Sequence, residues 1–287
     1  MRCASLARWA AGVAGVTAAA GYWTMMSPHS QLLGPFPYRG ATADKVIALT
    51  FDDGPNEPYT SQIADVLARA GIRATFFQVG ECVDRFPNVT ARLARDGHVI
   101  GDHSHSHHVT RCLGTHAQRS ETLAAQHALT RIIGRTPALY RPPWLIRTPT
   151  LPAVLRHNGL SPVSGEFCHA LEVFQPPPRW IARRALAKAR PGAILIFHDG
   201  FDAKGGNRAN TVAAVHLVVT ELTRRGYQFV TVDDLLGIPA YQATDRGADH
   251  HPDRDGLTTS SSSLRCHDQE TPPLGRSGVR APGAWGW

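Results

Sequence analysis

None of the five cysteines in this 287-residue chain falls at Cys-x-x-Cys spacing, and no other cysteine spacing suits a metal. A thiolate zinc site of the finger or ribbon type is therefore excluded. Basic residues interleaved with aromatics are also missing, although the net charge is +7. Nucleic acid is not an expected partner on that ground. The positive surplus suits anionic surfaces such as cell-wall polymers. No internal repeat divides the chain, and 43% hydrophobic content is enough for one large domain or a small pair.

Cys3 has no apolar run before it, so it does not resemble a lipoprotein cysteine. The other four are Cys82, Cys112, Cys168 and Cys266. An even count permits disulfides in an exported chain, and Cys82 with Cys112 is the first pair to test. Simple buried thiols are the alternative.

The one long uncharged stretch is at the start. Arg2 and Arg8 precede a run from Trp9 to Met26 rich in Ala and Gly. Ala18-Ala19-Ala20 offers small residues for cleavage, so residues 1–26 read as a secretory signal peptide. An uncleaved membrane anchor is the rival reading, and Tyr22 and Trp23 would suit a membrane interface. Either way the protein is expected to be exported, secreted or anchored facing the cell wall. Residues 27–41 read as a linker. Beyond residue 240 a Thr-Ser run at 258–263 and scattered Gly, Pro and Arg indicate a disordered tail, 241–287.

Between these ends, short apolar strands alternate with helix-like stretches. Strands are expected at 46–51, 75–79, 98–100, 138–141, 161–163, 193–197 and 228–230. Helices are expected at 61–69, 89–95, 117–133, 150–156, 180–189 and 212–225. This βα alternation implies an α/β fold with a parallel sheet or barrel.

Four motifs sit just after strand ends, where such barrels build active sites. Thr50-Phe51-Asp52-Asp53-Gly54-Pro55 presents two adjacent carboxylates at a sharp turn. Such a repelling pair is sustained if one acid binds a metal and the other does proton chemistry; a solvated turn is the alternative. Residues 97–108 hold five of the chain's 15 histidines. His103 and His107 are four apart, so one helical turn or a tight loop puts both imidazoles on one side. Two imidazoles and one aspartate make a His2Asp site with positions left open for water and substrate. His105 and His108 fall outside that pair and fit a His-rich surface loop. Tyr140-Arg141-Pro142-Pro143-Trp144 fixes an arginine in a stiff extended segment. Ile194-Leu195-Ile196-Phe197-His198-Asp199-Gly200 is a buried-type strand ending in a histidine.

Taken in this order, the motifs resemble the polysaccharide deacetylases of carbohydrate esterase family 4, which share the NodB homology domain. The resemblance covers roughly residues 42 to 237, within a domain set at 42–240. It implies a distorted (β/α) barrel of seven or eight strands. It implies Asp52 as catalytic base and Asp53 as metal ligand. The H-[ST]-x-x-H motif matches His103-Ser104-His105-Ser106-His107 and implies His103 and His107 as the other ligands. Arg141 of the R-x-P motif would hold Asp52, by a bidentate ion pair, and His198 would be the general acid. The implied cofactor is Zn2+, or Co2+ or another divalent metal, and a monomer is expected.

Two departures stand out. The family usually has an Asp-Trp pair before the last histidine, whose aspartate tunes that histidine. Here no Asp-Trp occurs, and residues 165–174 hold only Glu166 and Glu172 as acids. Glu172 is the preferred stand-in. A carboxylate there would raise the pKa of His198 and keep it protonated near neutral pH. The second departure is Trp144-Leu145, where an aromatic followed by Gly is more usual. The implied activity is metal-dependent removal of N-acetyl groups from a glucosamine-containing polysaccharide, peptidoglycan or chitin in type. O-deacetylation of acetylated xylan by the same residues is the alternative. A non-catalytic wall-binding descendant is the third reading, and it predicts a broken ligand set.

Overall fold

A computed structural model describes residues 15, 17 and 19–243. The basic start of the N-terminal segment, Cys3, Cys266 and all but the first residues of the expected tail lie outside the described residues.

The sheet is built around β1 (Val46–Asp52), whose two faces show why the fold forms. Side chains alternate across a strand. Ile47, Leu49 and Phe51 point to the helical layer, where they join the largest apolar cluster with Ile63, Leu67, Phe76, Phe197, Val215 and Val218. Phe51 stacks on Phe76 and Phe197 with ring centroids 4.8 and 5.9 Å apart. Truncating a fully buried phenylalanine such as this one costs about 3–5 kcal/mol. The opposite face carries Ala48, Thr50 and Asp52 toward the barrel interior. There Ala48 joins Phe77, Leu139, Val163 and Ile194 in a second cluster.

Among the described residues the strands of this sheet pair in parallel, and two isolated bridges, Arg39 with Ala193 and Pro137 with Tyr241, are antiparallel. β2 (Thr75–Gln78), β3 (Val99–Asp102), β4 (Leu139–Tyr140) and β5 (Ser161–Pro162) follow β1 on one side. On the other side β7 (Ile194–His198) pairs β1, and β6 (Glu166–Phe167) pairs β7. β8 (Gln228–Val230) pairs the first half of β1. Among the described residues β5 and β6 do not pair, so the sheet is a curled, incompletely closed barrel. The helices are α1 (Tyr59–Arg69), α2 (Gly80–Arg85), α3 (Pro87–Arg95), α4 (Thr115–Ile133), α5 (Leu151–His157), α6 (Pro178–Lys188), α7 (Ala209–Arg224) and α8 (Val232–Leu236).

The seven expected strands and six expected helices are present with bounds shifted by no more than three residues. Sequence periodicity missed β6, α2 and α8, each too short to carry a period. Cys82, Cys112 and Cys168 are free, buried thiols, so the Cys82–Cys112 bridge is not formed. Burial pushes the Cys82 and Cys112 thiols up to about 12.

Residues 27–41, read as a linker, are packed onto the domain: Ser27, Ser30 and Phe36 are buried. The domain also runs past residue 240. The Tyr241 hydroxyl accepts the Ile100 N–H at 3.1 Å, and Gln242 Nε2 donates to the Asn158 carbonyl at 2.7 Å. No helix of the described residues is long and apolar enough to cross a membrane.

Candidate active site

Strand register brings the site together. Asp52, the last residue of β1, lies opposite His198, the last residue of β7, and opposite Phe77 of β2. Glycines let the loops after β1 and β7 approach closely. A Cβ on Gly200 would meet the Asp53 carbonyl at 2.3 Å, and one on Gly54 would meet the Asp199 carboxylate at 2.0 Å. The glycines of both strand-end motifs are therefore demanded by contact.

Asp52 is buried and held by Arg141, which is fully buried. One Arg141 nitrogen donates to Asp52 Oδ1 and to Thr50 Oγ1, each at 2.7 Å. The other donates to the Ser164 carbonyl at 2.9 Å. The expected bidentate pair is thus corrected to a single charged hydrogen bond, because the second nitrogen is used by the backbone after β5. The guanidinium lies 4.1 Å over the Phe77 ring. Burial lowers the Arg141 pKa and the Asp52 charge opposes that.

Asp53, His103 and His107 converge. Asp53 Oδ1 lies 3.2 Å from His103 Nε2 and 3.1 Å from His107 Nε2. Their candidate donor atoms all lie within 4.8 Å of one another, and all three residues are buried. A loop, rather than a helical turn, brings the histidines together, and it does so through left-handed backbone at Ser104 (φ 65°) and His107 (φ 52°). The Oε2 of Glu121, on α4, clamps that loop by accepting the His105 and Ser106 N–H groups at 3.2 and 2.7 Å.

The second contacts of the histidines suit cation binding. His103 Nδ1 donates to the Arg141 carbonyl at 2.7 Å, which leaves Nε2 as the free lone pair. His107 Nδ1 lies 3.1 Å from Asp202 Oδ1, the imidazole–carboxylate pairing common behind metal ligands. Burial by itself would lower the His107 pKa, yet Asp53 and Asp202 push it up to about 10. Burial would raise Asp53, but the charge of His107 and hydrogen bonds from both imidazoles hold it well below the usual carboxylate range. The site thus stabilises positive charge where the two Nε2 atoms and the carboxylate meet, and the donor set fits a divalent metal.

His198 forms the opposite side. Its Nδ1 lies 3.1 Å from Glu172 Oε2, and its backbone N–H donates to Glu172 Oε1 at 3.1 Å. Thr211 Oγ1 donates to the same Oε1 at 2.8 Å. Burial would depress the His198 pKa, but the Glu172 hydrogen bond and charge, helped by Asp53 and Asp52, raise it to about 9. Glu166 turns elsewhere, to Arg190 at 2.5 Å and His29 at 3.0 Å. The Phe167 ring lies parallel to His198 at 6.0 Å.

Asp52, Asp53, His103, His107, His198 and Asp202 line one cavity of about 360 Å³, together with Pro142, Trp144, Leu145, Phe167 and Phe201. Trp144 sits over His107 at 4.2 Å between ring centroids. The Trp144-Leu145 departure has a backbone cost. Leu145 adopts φ 56°, a left-handed value that glycine accepts freely and leucine does not. In return, Leu145 is buried against the cavity.

His105 and His108 stay out of the cluster, as their spacing suggests. Sequence reasoning missed Asp202, Thr50 and Phe167. Asp202 lies four residues after His198 and two beyond the end of that motif, close enough in sequence to be considered; the other two depend on strand pairing.

The model of the polysaccharide deacetylase family matches residues 39–163. A peptidoglycan-N-acetylglucosamine deacetylase of Bacillus cereus is 31% identical over 200 residues, covering 67% of this chain and 89% of that one. A chitooligosaccharide deacetylase of Azorhizobium caulinodans is 32% identical over 197 residues, covering 63% and 90%. The crystal structure of a peptidoglycan N-acetylglucosamine deacetylase in complex with an N-hydroxybenzamide superposes with TM-score 0.67 at 26% identity, covering 72% of this chain and 95% of that one. A protein of Bacillus anthracis described as a pseudoenzyme of carbohydrate esterase family 4 shares the fold, with TM-score 0.63 at 20% identity over 70% of this chain and 69% of that one. Fold alone therefore does not guarantee chemistry, and the site must carry that argument. Sequence identity over most of the length of curated relatives and the shared curled barrel lead to one assignment: the chain belongs to the polysaccharide deacetylases of carbohydrate esterase family 4.

Proposed function

We propose that this protein removes N-acetyl groups from a glucosamine-containing polysaccharide of the peptidoglycan or chitin type, outside the cytoplasm. The observation that carries the reading is one cavity whose lining includes an arginine-held carboxylate, a carboxylate-paired imidazole and a complete donor set. Asp52 with Arg141 forms one proton group, His198 with Glu172 the other, and Asp53, His103 and His107 lie with them. The complete donor set also argues against a wall-binding descendant. The names carried by the relatives support the substrate class.

Asp53, His103 and His107 would hold the metal, Zn2+ or Co2+. When bound, it supplies Lewis-acid polarisation of the acetyl carbonyl and lowers the pKa of water. Asp52 takes a proton from the attacking water, whose oxygen bonds to the acetyl carbon. Arg141 keeps that carboxylate aimed into the cavity. As the C–N bond breaks, His198 protonates the departing amine through Nε2, because Nδ1 is engaged by Glu172. Acetate and a free amine on the sugar result. Trp144 and Phe167 crowd the reacting groups and limit access of bulk water.

The test is acetate release from peptidoglycan, chitin oligomers and acetylxylan, with and without chelator. Release from the first two, lost in chelator and restored by Zn2+ or Co2+, is expected. His198→Ala should slow an amide substrate about 10²–10⁴-fold more than an activated aryl ester, whose leaving group needs no proton. Metal-independent release, or release from acetylxylan alone, would overturn the reading.

A further inference from the structure

The cavity has a wall contributed from upstream of the residues that the family model matches. Tyr22, Met26 and Pro28 line it together with Asp52, Asp53 and His198, whereas the family match begins at residue 39. Residues 19–26 are helical and end against this rim.

A buried arginine holds the segment in place. Arg147 is fully buried and makes no ion pair among the described residues. Its backbone N–H donates to the Met25 carbonyl at 2.9 Å. Its guanidinium donates to the Ser27 carbonyl, to the Pro28 carbonyl at 3.4 Å and to Ser164 Oγ at 3.1 Å. Ser164 Oγ in turn donates to the Pro28 carbonyl at 2.7 Å, and the Ser164 N–H donates to the Pro37 carbonyl at 2.8 Å. The segment thus occupies the side where β5 and β6 fail to pair. Terminal guanidinium nitrogens held by carbonyls fix the backbone that supplies them, since breaking these bonds would leave further buried donors without partners.

The side chains this clamp presents are of one kind. Met26 and Pro28 are apolar and half-buried, while Tyr22 is 65% exposed at the rim. A sugar ring offers apolar C–H faces edged by hydroxyls, and a tyrosine offers an apolar ring with one polar tip. Ligand cavities combine such apolar walls with a few aimed polar groups.

We propose that Tyr22, Met26 and Pro28 form a saccharide-binding wall that holds the sugar unit next to the one being deacetylated. This rests on the proposed function and on Tyr22 and Met26 staying in the exported protein, so that any cleavage falls at Ala18-Ala19-Ala20 and not after Met26. The wall belongs to the N-terminal segment and not to the barrel, so it sets the chain's preference for polymer over isolated small acetyl substrates.

The test compares chitotetraose with nitrophenyl acetate on the full chain, metal-loaded. Tyr22→Ala and Met26→Ala should each raise KM for the tetrasaccharide. The ratio of kcat/KM for tetrasaccharide to aryl ester should fall about tenfold for Tyr22→Ala, the effect of losing one well-packed contact. Leu32→Ala, in the same segment but outside the cavity lining, should keep the wild-type ratio. Unchanged ratios in both cavity variants would overturn the wall. Calorimetric binding of chitotetraose separates this proposal from the reading it rests on. A wild type that binds the tetrasaccharide but releases no acetate would fault the activity alone. The wall then stands if Tyr22→Ala weakens binding, and falls if affinity is unchanged or if the wild type does not bind.

Discussion

Replacing Glu172 with glutamine removes one charge from the His198 pair and keeps its shape, but turns one of its two acceptor oxygens into an amide donor. Glu172 is buried, with Oε2 3.1 Å from His198 Nδ1 and Oε1 accepting the Thr211 hydroxyl at 2.8 Å. In the native site the carboxylate overrides burial and lifts His198 to about 9. A divalent cation on Asp53 cancels that residue's share, so 9 is the upper end for the loaded enzyme. Without Glu172 the main opposing influence is gone and burial pushes the imidazole below its ordinary value of 6.5.

The sign follows from the acid's role. A general acid must be protonated, and activity is lost as pH rises through its pKa. At pH 8 a group of pKa 9 is about nine-tenths protonated, whereas one at or below 6.5 is about 3% protonated or less. Glu172→Gln should therefore lower kcat/KM on an amide substrate about 30-fold or more at pH 8, with the loss shrinking as pH falls through the lowered pKa. The alkaline limb of the pH–rate profile should move down by more than two units, roughly the difference between these values. Glu166→Gln should leave the limb in place, because Glu166 is engaged by Arg190 and His29. The assay is acetate release from a chitin oligomer between pH 5 and 10, with thermal melting to confirm folding. A folded Glu172→Gln enzyme whose alkaline limb coincides with wild type would refute the pairing.

Metal content tests the ligand assignment. His103→Ala and His107→Ala should each lose bound metal after dialysis, and His105→Ala should retain it, because its ring lies against the Gly80 backbone and outside the donor cluster. Asp202→Asn should weaken metal affinity about 10–100-fold by loosening the His107 ring. Equal metal content in all these variants would sink the assignment. Export is tested by fusing a reporter active only outside the cytoplasm after residue 40. It should be active, and a silent reporter beside a working cytoplasmic one would overturn the reading of Arg2, Arg8 and the uncharged run that follows.

Local chemistry in the chain was enough to single out groups that the fold gathers at one end of the sheet. Asp52 and Asp53 end an apolar strand before Gly-Pro, His103 and His107 share one loop, and Arg141 and His198 each follow a short apolar run. Strand alternation likewise fixes which β1 side chains face the helices, so the parallel α/β sheet was legible as well. What spans long separations was not. Glu172 and Glu166 are equally acidic on paper; only the folded chain brings Glu172 onto His198, 26 residues away, and sends Glu166 to His29, 137 residues away. Asp202 meets His107 across 95 residues. Residues 27–41 carry the Pro, Gly and polar content of a linker, yet the buried Arg147 draws Ser27 and Pro28 onto the cavity rim. No local pattern encodes an arginine bonded to carbonyls 120 residues upstream. Composition sets what a side chain can do, but its partner depends on which strand ends the barrel brings together, and that is decided only when the sheet has curled.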